Sequence, residues 1–160
     1  MKKINNIMTQ EEKDLLLKDL CARIPYGVKC QCFDEGTIAS LTGVKSNTEL
    51  YFAELDFKEF DGIVKINYCK PYLYPLSSIT EAQKEEYYSL ADDVTIKPGK
   101  GSYFGIKIHC IKLGISENPH EGVWDWIDLD AIDWLNKNHF DYIGLIPKGL
   151  ANDATGLNIY

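Results

Sequence analysis

The hydrophobic period of the chain changes at Pro25-Tyr26-Gly27, and this change limits the folds open to it. Upstream, Thr9–Glu12 has the capping-box pattern that begins a helix, and Pro25 ends one because the residue before proline avoids helical geometry. Downstream, apolar and polar residues alternate as in strands. Four leucine or isoleucine residues keep helical spacing before the change: Leu16, Leu17, Leu20 and Ile24. We therefore predict a first helix over about 10–24, followed by a sheet.

Four alternating segments predict a β meander over about 28–68, polar on one face and apolar on the other. The segments are Val28–Phe33, Thr37–Val44, Glu49–Leu55 and Gly62–Tyr68. The next stretch, Lys70–Leu76, contains two prolines, which lack the amide hydrogen that a strand contributes to its ladder. We interpret that stretch as an extended connector packed by its aromatic residues.

The second half of the chain adds two helices and a strand. A second capping box at Thr80–Gln83 predicts a helix over about 81–91, and alternation predicts a strand over about 103–113. A third helix is expected over about 129–138, capped by Asp128 or Asp130. The tail over 140–160 is rich in glycine and is expected to be irregular while completing the core. Together these elements predict a single globular domain over 1–160, of class α+β: an antiparallel sheet of about four or five strands packed with about three helices.

Charge and composition argue against several functional classes. The formal net charge is −7, and only Arg23 among 17 basic residues is an arginine, which disfavours sequence-specific nucleic-acid binding. No run approaches the roughly 18 apolar residues of a membrane span, and the first residues lack the apolar core of a secretion signal. The five cysteines are odd in number and scattered, as in a reducing compartment. We therefore expect a cytoplasmic protein without a membrane partner. The oligomeric state is left open.

The sequence offers two candidate chemical sites. Cys30 and Cys32 would lie on one face of a strand, as zinc ligands can, but the second pair of a structural zinc site is missing. Packing in the core as small apolar side chains is the favoured interpretation. For an enzyme or small-ligand binder, a pocket near Tyr68–Tyr74 would have to use Arg23, His109 or His139. No nucleophile, base and orienting group stand in a recognisable pattern, and no cofactor motif is present.

The segment from His120 to Ile146 contains all three tryptophans and six acidic residues. A helical stripe of apolar residues would face the core, and Trp134 would lie about 100° from Leu135 and off that stripe. Tryptophan is frequent at binding hot spots, although packing in the core is its commoner role. Candidate interaction residues are Trp124, Asp125, Trp126, Asp130, Asp133 and Trp134.

Three stretches together resemble a family of small, uncharacterised proteins from gut bacteria and their phages or mobile elements. They are LLLKDLCARIPYG from Leu15, KPYLYPLSSITE from Lys70 and DWLNKNHFDYIGLI from Asp133. The family has no known activity, so the resemblance implies an origin and no chemistry. Its members often carry arginine where this chain has Tyr74 and Ile143, and an anion site built on those arginines would be absent here.

These observations favour a small cytoplasmic phage- or mobile-element-type accessory protein that binds another protein. In a sharper form it would be an acidic inhibitor or nucleic-acid mimic, since carboxylates can occupy a basic groove. The alternatives are an enzyme or small-ligand-binding protein with its pocket near Tyr68–Tyr74, and a zinc-stabilised domain.

Overall fold

The computed structural model describes residues 7–33, 36–47, 50–57, 60–90 and 129–160. The predicted strand over 103–113 lies outside these ranges. Within them, three α-helices and a mixed sheet of seven strands confirm the α+β class, and the sheet is larger than the four or five antiparallel strands predicted. The elements are α1 (Gln10–Arg23), β1 (Lys29–Cys32), β2 (Thr37–Ser46), β3 (Tyr51–Phe57), β4 (Phe60–Lys65), β5 (Cys69–Pro75), α2 (Glu81–Leu90), α3 (Leu129–Lys137), β6 (Phe140–Asp141) and β7 (Asn152–Asp153).

Two compact units divide the chain. The first comprises Met1–Leu73 and Leu145–Tyr160, and the second comprises Tyr74–Gly144. Compact units also occur inside one domain, so the prediction of a single domain stays a prediction.

Helix α1 begins as the sequence predicts. Thr9 Oγ1 accepts from the Glu12 amide at 3.2 Å, and the Glu12 carboxylate accepts from the Thr9 amide at 2.8 Å, which is a complete capping box. Near the start of the helix, Asp14 accepts a hydrogen bond from the Tyr51 hydroxyl of β3 at 2.7 Å. This bond and a second one from Gln10 lower the pKa of the Asp14 carboxyl. They tie α1 to the sheet of the first unit.

In the first unit, β1 to β4 form the predicted antiparallel meander, in the order β4-β3-β2-β1. Alternate residues of these strands are buried, because one face of the sheet packs on the core and the other meets water. Buried positions include Cys30, Ala39, Ala53, Leu55 and Val64. The predicted last segment, Gly62–Tyr68, ends as a strand at Lys65 and continues as a 3-10 turn over Ile66–Tyr68.

The interpretation of Lys70–Leu76 as a connector is wrong. Cys69–Pro75 forms β5, which pairs with β1 on one side and with β7 on the other. Phe33 N donates to Tyr68 O at 3.0 Å, so alternation turns the backbone nitrogen of Pro71 away from β1. Opposite that nitrogen, the two-residue β7 pairs only with Tyr72 and Leu73. Pro71 therefore occupies a position where no ladder donor is needed.

The second unit packs its two helices around aromatic side chains. Thr80 and Gln83 exchange hydrogen bonds of 3.2 Å and 3.0 Å as the predicted capping box of α2. Downstream of α3, His139 adopts a left-handed conformation (φ 59°) that stops the helix. Phe140 and Asp141 then pair in parallel with Tyr74 and Pro75. The core of this unit contains Tyr87, Trp134 and Phe140.

The tail contributes to the core of the first unit, as predicted, although most of it is irregular. Leu145, Leu150 and Ala154 are buried there. The Tyr160 hydroxyl accepts from the Lys29 amide at 3.0 Å and donates to the Tyr72 carbonyl at 2.7 Å. The Tyr160 side chain thus joins the ends of β1 and β5, and it replaces a direct hydrogen bond between the Lys29 amide and the Tyr72 carbonyl.

Candidate functional site

The predicted interaction residues fall into three groups. Trp124, Asp125 and Trp126 lie outside the described residues. Asp130 and Asp133 are exposed on α3, as expected for acids in the first turns of a helix. Trp134 is buried, with only 5% of its surface exposed. Its role as an interaction residue stays a prediction, but it does not display its ring to solvent.

Trp134 holds the core of the second unit together. Its ring meets Tyr87 edge-on at 5.7 Å and stacks on Phe140 at 5.7 Å with an interplanar angle of 19°. Such pairs contribute about 0.5–1.5 kcal/mol each beyond the area that they bury. The indole nitrogen has no hydrogen-bond partner among the residues described. Sequence periodicity placed this ring off the core stripe because α3 buries a wider arc, from Trp134 through Asn136, than one stripe supplies.

The exposed acids of the second unit form what we call the acidic helical face, carried by α2 and α3, which pack against each other. On these two helices, within the described residues, the basic side chains are Lys84, which is ion-paired with Glu81 at 2.7 Å, and Lys137, which lies in the last turn of α3. The acidic helical face comprises Glu81, Glu85, Glu86, Asp130 and Asp133.

Net charge is divided unequally between the two units. The second unit contains twelve acidic residues against six lysines, a net charge of −6, whereas the first contains twelve against eleven. Nearly all of the net charge of −7 therefore belongs to the unit that carries the acidic helical face. A potential of one sign concentrated in one part of a protein attracts partners of the opposite sign.

The thiols predicted as weak zinc candidates are core residues. Cys30 and Cys32 are completely buried on β1. Cys69 of β5 is also buried and lies opposite Cys32 in the strand register. Hydrogen bonding to Cys69 and burial raise the pKa of the Cys32 thiol, and the pKa of Cys69 is also raised. Metals bind the thiolate, which such surroundings disfavour. Across the described ranges, no group of three or more His, Cys, Asp or Glu residues is placed to hold a metal ion.

Among the residues named for a small-ligand pocket, Arg23 has a structural partner. Arg23 is fully buried and makes two hydrogen bonds of 2.9 Å with the Asp19 carboxylate one helical turn earlier. His139 is buried at the end of α3, and His109 lies outside the described residues. The stretch Tyr68–Tyr74 is mostly the inner strand β5. Arg23 is therefore committed to an internal ion pair and does not present its guanidinium to a ligand.

One feature of the first unit was not anticipated from the sequence. Phe33 and Tyr68 stack at 6.0 Å although each is more than half exposed. Phe33 also adopts a left-handed conformation (φ 61°), which is unfavourable for a residue with a bulky side chain. Alternation in the sequence reports which face of a strand is buried, and it does not report backbone strain.

Comparison with protein-family models, with curated proteins and with solved structures finds no match for this chain. Among the helices of the described ranges, none has both the length and the apolar composition that crossing a bilayer requires.

Proposed function

We propose that this chain is a small cytoplasmic accessory protein of a phage or mobile element that binds another protein through the acidic helical face. The observation that carries this proposal is the concentration of the net negative charge in the second unit. Exposed carboxylates on two adjoining helices suit a basic partner surface. Neither α2 nor α3 requires so many exposed acids for its own stability, because one or two acids satisfy the first turn of a helix.

The spacing of these acids favours the nucleic-acid mimic within that class. Side chains three or four positions apart on a helix lie about 5–6 Å apart at their Cβ atoms, so Glu81 and Glu85, or Asp130 and Asp133, present charges at short regular intervals. A groove that binds phosphates by lysine and arginine would accept such a series. Binding of this kind weakens as salt rises, because the Debye length falls from about 10 Å at 0.1 M to 3 Å at 1 M.

Paired variants test the proposal. The first, Glu85→Gln/Glu86→Gln/Asp133→Asn, removes three charges from the acidic helical face. The matched control, Glu11→Gln/Glu54→Gln/Asp56→Asn, removes three charges from the first unit. Both changes alter the net charge equally. The control also removes the carboxylate that pairs with Lys45, so the fold of both variants is compared with that of the parent by circular dichroism.

Each variant is used, with the parent, for affinity capture from a host lysate treated with nuclease, and the captured protein is then purified for titration. We expect a stoichiometric partner that the parent and the control bind and that the first variant binds at least tenfold more weakly. Duplex DNA should displace the partner if the face mimics nucleic acid. Equal binding by all three proteins would place the interface elsewhere, and absence of any partner would refute protein binding as the function.

The exposed stack of Phe33 and Tyr68 favours a second candidate, small-ligand binding at the start of the Tyr68–Tyr74 stretch. Strained backbone such as that of Phe33 clusters at functional sites, and exposed aromatic rings can stack on flat apolar ligands. A thermal-shift screen of small aromatic compounds and sugars, repeated with Tyr68→Ala, tests this candidate. Stabilisation that survives Tyr68→Ala, or none at all, would argue against it. Metal analysis of the purified protein tests the zinc-stabilised alternative.

A further inference from the structure

Three buried thiols lie together on the inner face of the first unit, and neither the acidic helical face nor the aromatic stack involves them. They come from β1 and β5, which are adjacent in the sheet although about 37 residues separate Cys32 from Cys69. Cys69 lies directly opposite Cys32 in the strand register, and its thiol interacts electrostatically with those of Cys30 and Cys32. A reactive partner for one of these thiols is therefore already in place.

The strand register distinguishes the two possible pairs. Because Phe33 N donates to Tyr68 O, that pair is hydrogen-bonded, and the next pair, Cys32 with Cys69, is non-hydrogen-bonded. Cα atoms in such pairs are about 4.5 Å apart, within the range of about 4.4–6.8 Å that disulfides span. Cys30 lies opposite Pro71 and is diagonal to Cys69, where the Cα separation is about 7–8 Å. Only Cys32 is close enough to be bridged without moving the backbone.

We propose that Cys32 and Cys69 are a redox modification site, which a low-molecular-weight disulfide such as glutathione disulfide converts into a cross-strand disulfide between β1 and β5. One thiolate attacks the oxidant and releases one reduced glutathione. The second thiol then loses its proton, attacks the mixed disulfide and releases another reduced glutathione. Two protein thiols and one glutathione disulfide thus become one protein disulfide and two reduced glutathiones.

The burial of the thiols limits the rate of this reaction, and the closeness of Cys32 to Cys69 determines how much disulfide is present at equilibrium. All three thiols are fully buried, and the pKa values of Cys32 and Cys69 are raised, so exchange requires a transient opening of the sheet. Once one sulfur is oxidised, its neighbour acts at the high effective concentration of a group held in position. The site should therefore oxidise slowly and remain oxidised at glutathione ratios that reduce exposed disulfides.

The test uses the full chain carrying Cys21→Ala and Cys110→Ala, which removes the other two cysteines. The folded protein is incubated to equilibrium with millimolar glutathione disulfide, alkylated and analysed by intact and tandem mass spectrometry. Cys30→Ala is the matched control for Cys32→Ala, since both residues are equally buried on the same strand and receive the same substitution. Cys69→Ala completes the set.

We expect the loss of two hydrogen masses in the parent and in Cys30→Ala, with alkylation of the parent only at Cys30, and no such product in Cys32→Ala or Cys69→Ala. The disulfide should raise the melting temperature by roughly 5–10 °C, because it closes a long loop in the unfolded chain. A bridge that contains Cys30, or the absence of any bridge at equilibrium, would overturn the proposal. The peptide map of the parent gives this answer even if a cysteine variant fails to fold.

Discussion

The internal ion pair of α1 gives the sharpest prediction about stability. Asp19 and Arg23 are both fully buried and share two hydrogen bonds of 2.9 Å. Replacing Asp19 with alanine would remove the carboxylate that accepts both of these hydrogen bonds from the buried guanidinium. Breaking a buried pair in this way typically costs about 3–5 kcal/mol. Against a total stability of about 5–15 kcal/mol, we expect Asp19→Ala to lower the melting temperature by roughly 10 °C.

Urea denaturation followed by circular dichroism measures this loss. Glu11→Ala is the control, because Glu11 is an exposed acid on the same helix and its removal should cost well under 1 kcal/mol. The double variant Asp19→Leu/Arg23→Met replaces both charges by apolar groups. It should be more stable than Asp19→Ala alone, since no uncompensated charge remains. A loss below 1 kcal/mol for Asp19→Ala, or a double variant less stable than the single one, would refute the reasoning.

Three further predictions concern other contacts. Tyr160→Phe should cost about 0.5–1.5 kcal/mol in thermal or urea unfolding, because it removes a partly exposed hydroxyl that joins a β1 amide to a β5 carbonyl. An unchanged midpoint would show that water replaces the hydroxyl. Hydrogen bonds, first of all that from Tyr51, lower the pKa of Asp14 in the folded state. The contribution of Asp14 to stability is therefore present above the unfolded carboxyl pKa of about 3.9, and it is lost as the pH falls through the lower folded pKa. Tyr51→Phe should make the free energy of unfolding fall less steeply as the pH is lowered through this range. An unaltered pH profile would show that the Tyr51 hydrogen bond does not cause the lowered pKa. Trp134→Phe should be close to neutral, since it keeps a stacked ring and removes a buried donor that has no acceptor among the described residues. Trp134→Ala should cost about 3–5 kcal/mol in urea denaturation.

Local signals predicted the local structure of the chain well. The two capping boxes at Thr9 and Thr80 begin helices where expected, because a cap depends on residues within one turn. The meander was also predictable, because alternation reports which face of a strand is buried. The strand at Pro71 was missed because proline is tolerated where its nitrogen faces no ladder partner, and that depends on the register with β1 and on the shortness of β7.

Pairs distant in sequence account for the features that could not be predicted. Nothing near Trp134 indicates that Tyr87 will cover its ring, and nothing near Cys32 indicates that Cys69 will face it. The acidic residues were visible in the sequence, but their concentration in one unit became apparent only once the division at Tyr74 and Gly144 was known.

The motifs that suggest an origin have structural roles in the described residues. In the first, the aspartate and arginine form the internal ion pair; in the second, the Ser78 hydroxyl donates to the Pro75 carbonyl at 2.7 Å. In the third, the Asp141 carboxylate accepts from the Gly144 amide at 2.8 Å, and the Tyr142 hydroxyl donates to Asn136 at 3.0 Å. Residues of this kind specify a backbone and leave the choice of partner to other surfaces.

The discontinuity of the first unit has a consequence for the order of folding during synthesis. Its closing strand, β7, joins β5 about 80 residues after Tyr72 has been made. The hairpins of β1 to β4 can form as they leave the ribosome, since their contacts are short-range. The segment from Leu145 onward reaches the nascent sheet only after the whole of the second unit has been translated. Until then the edge of β5 that pairs with β7 is unpaired. Ribosome-bound chains halted before residue 145 should therefore be more sensitive to protease than completed chains.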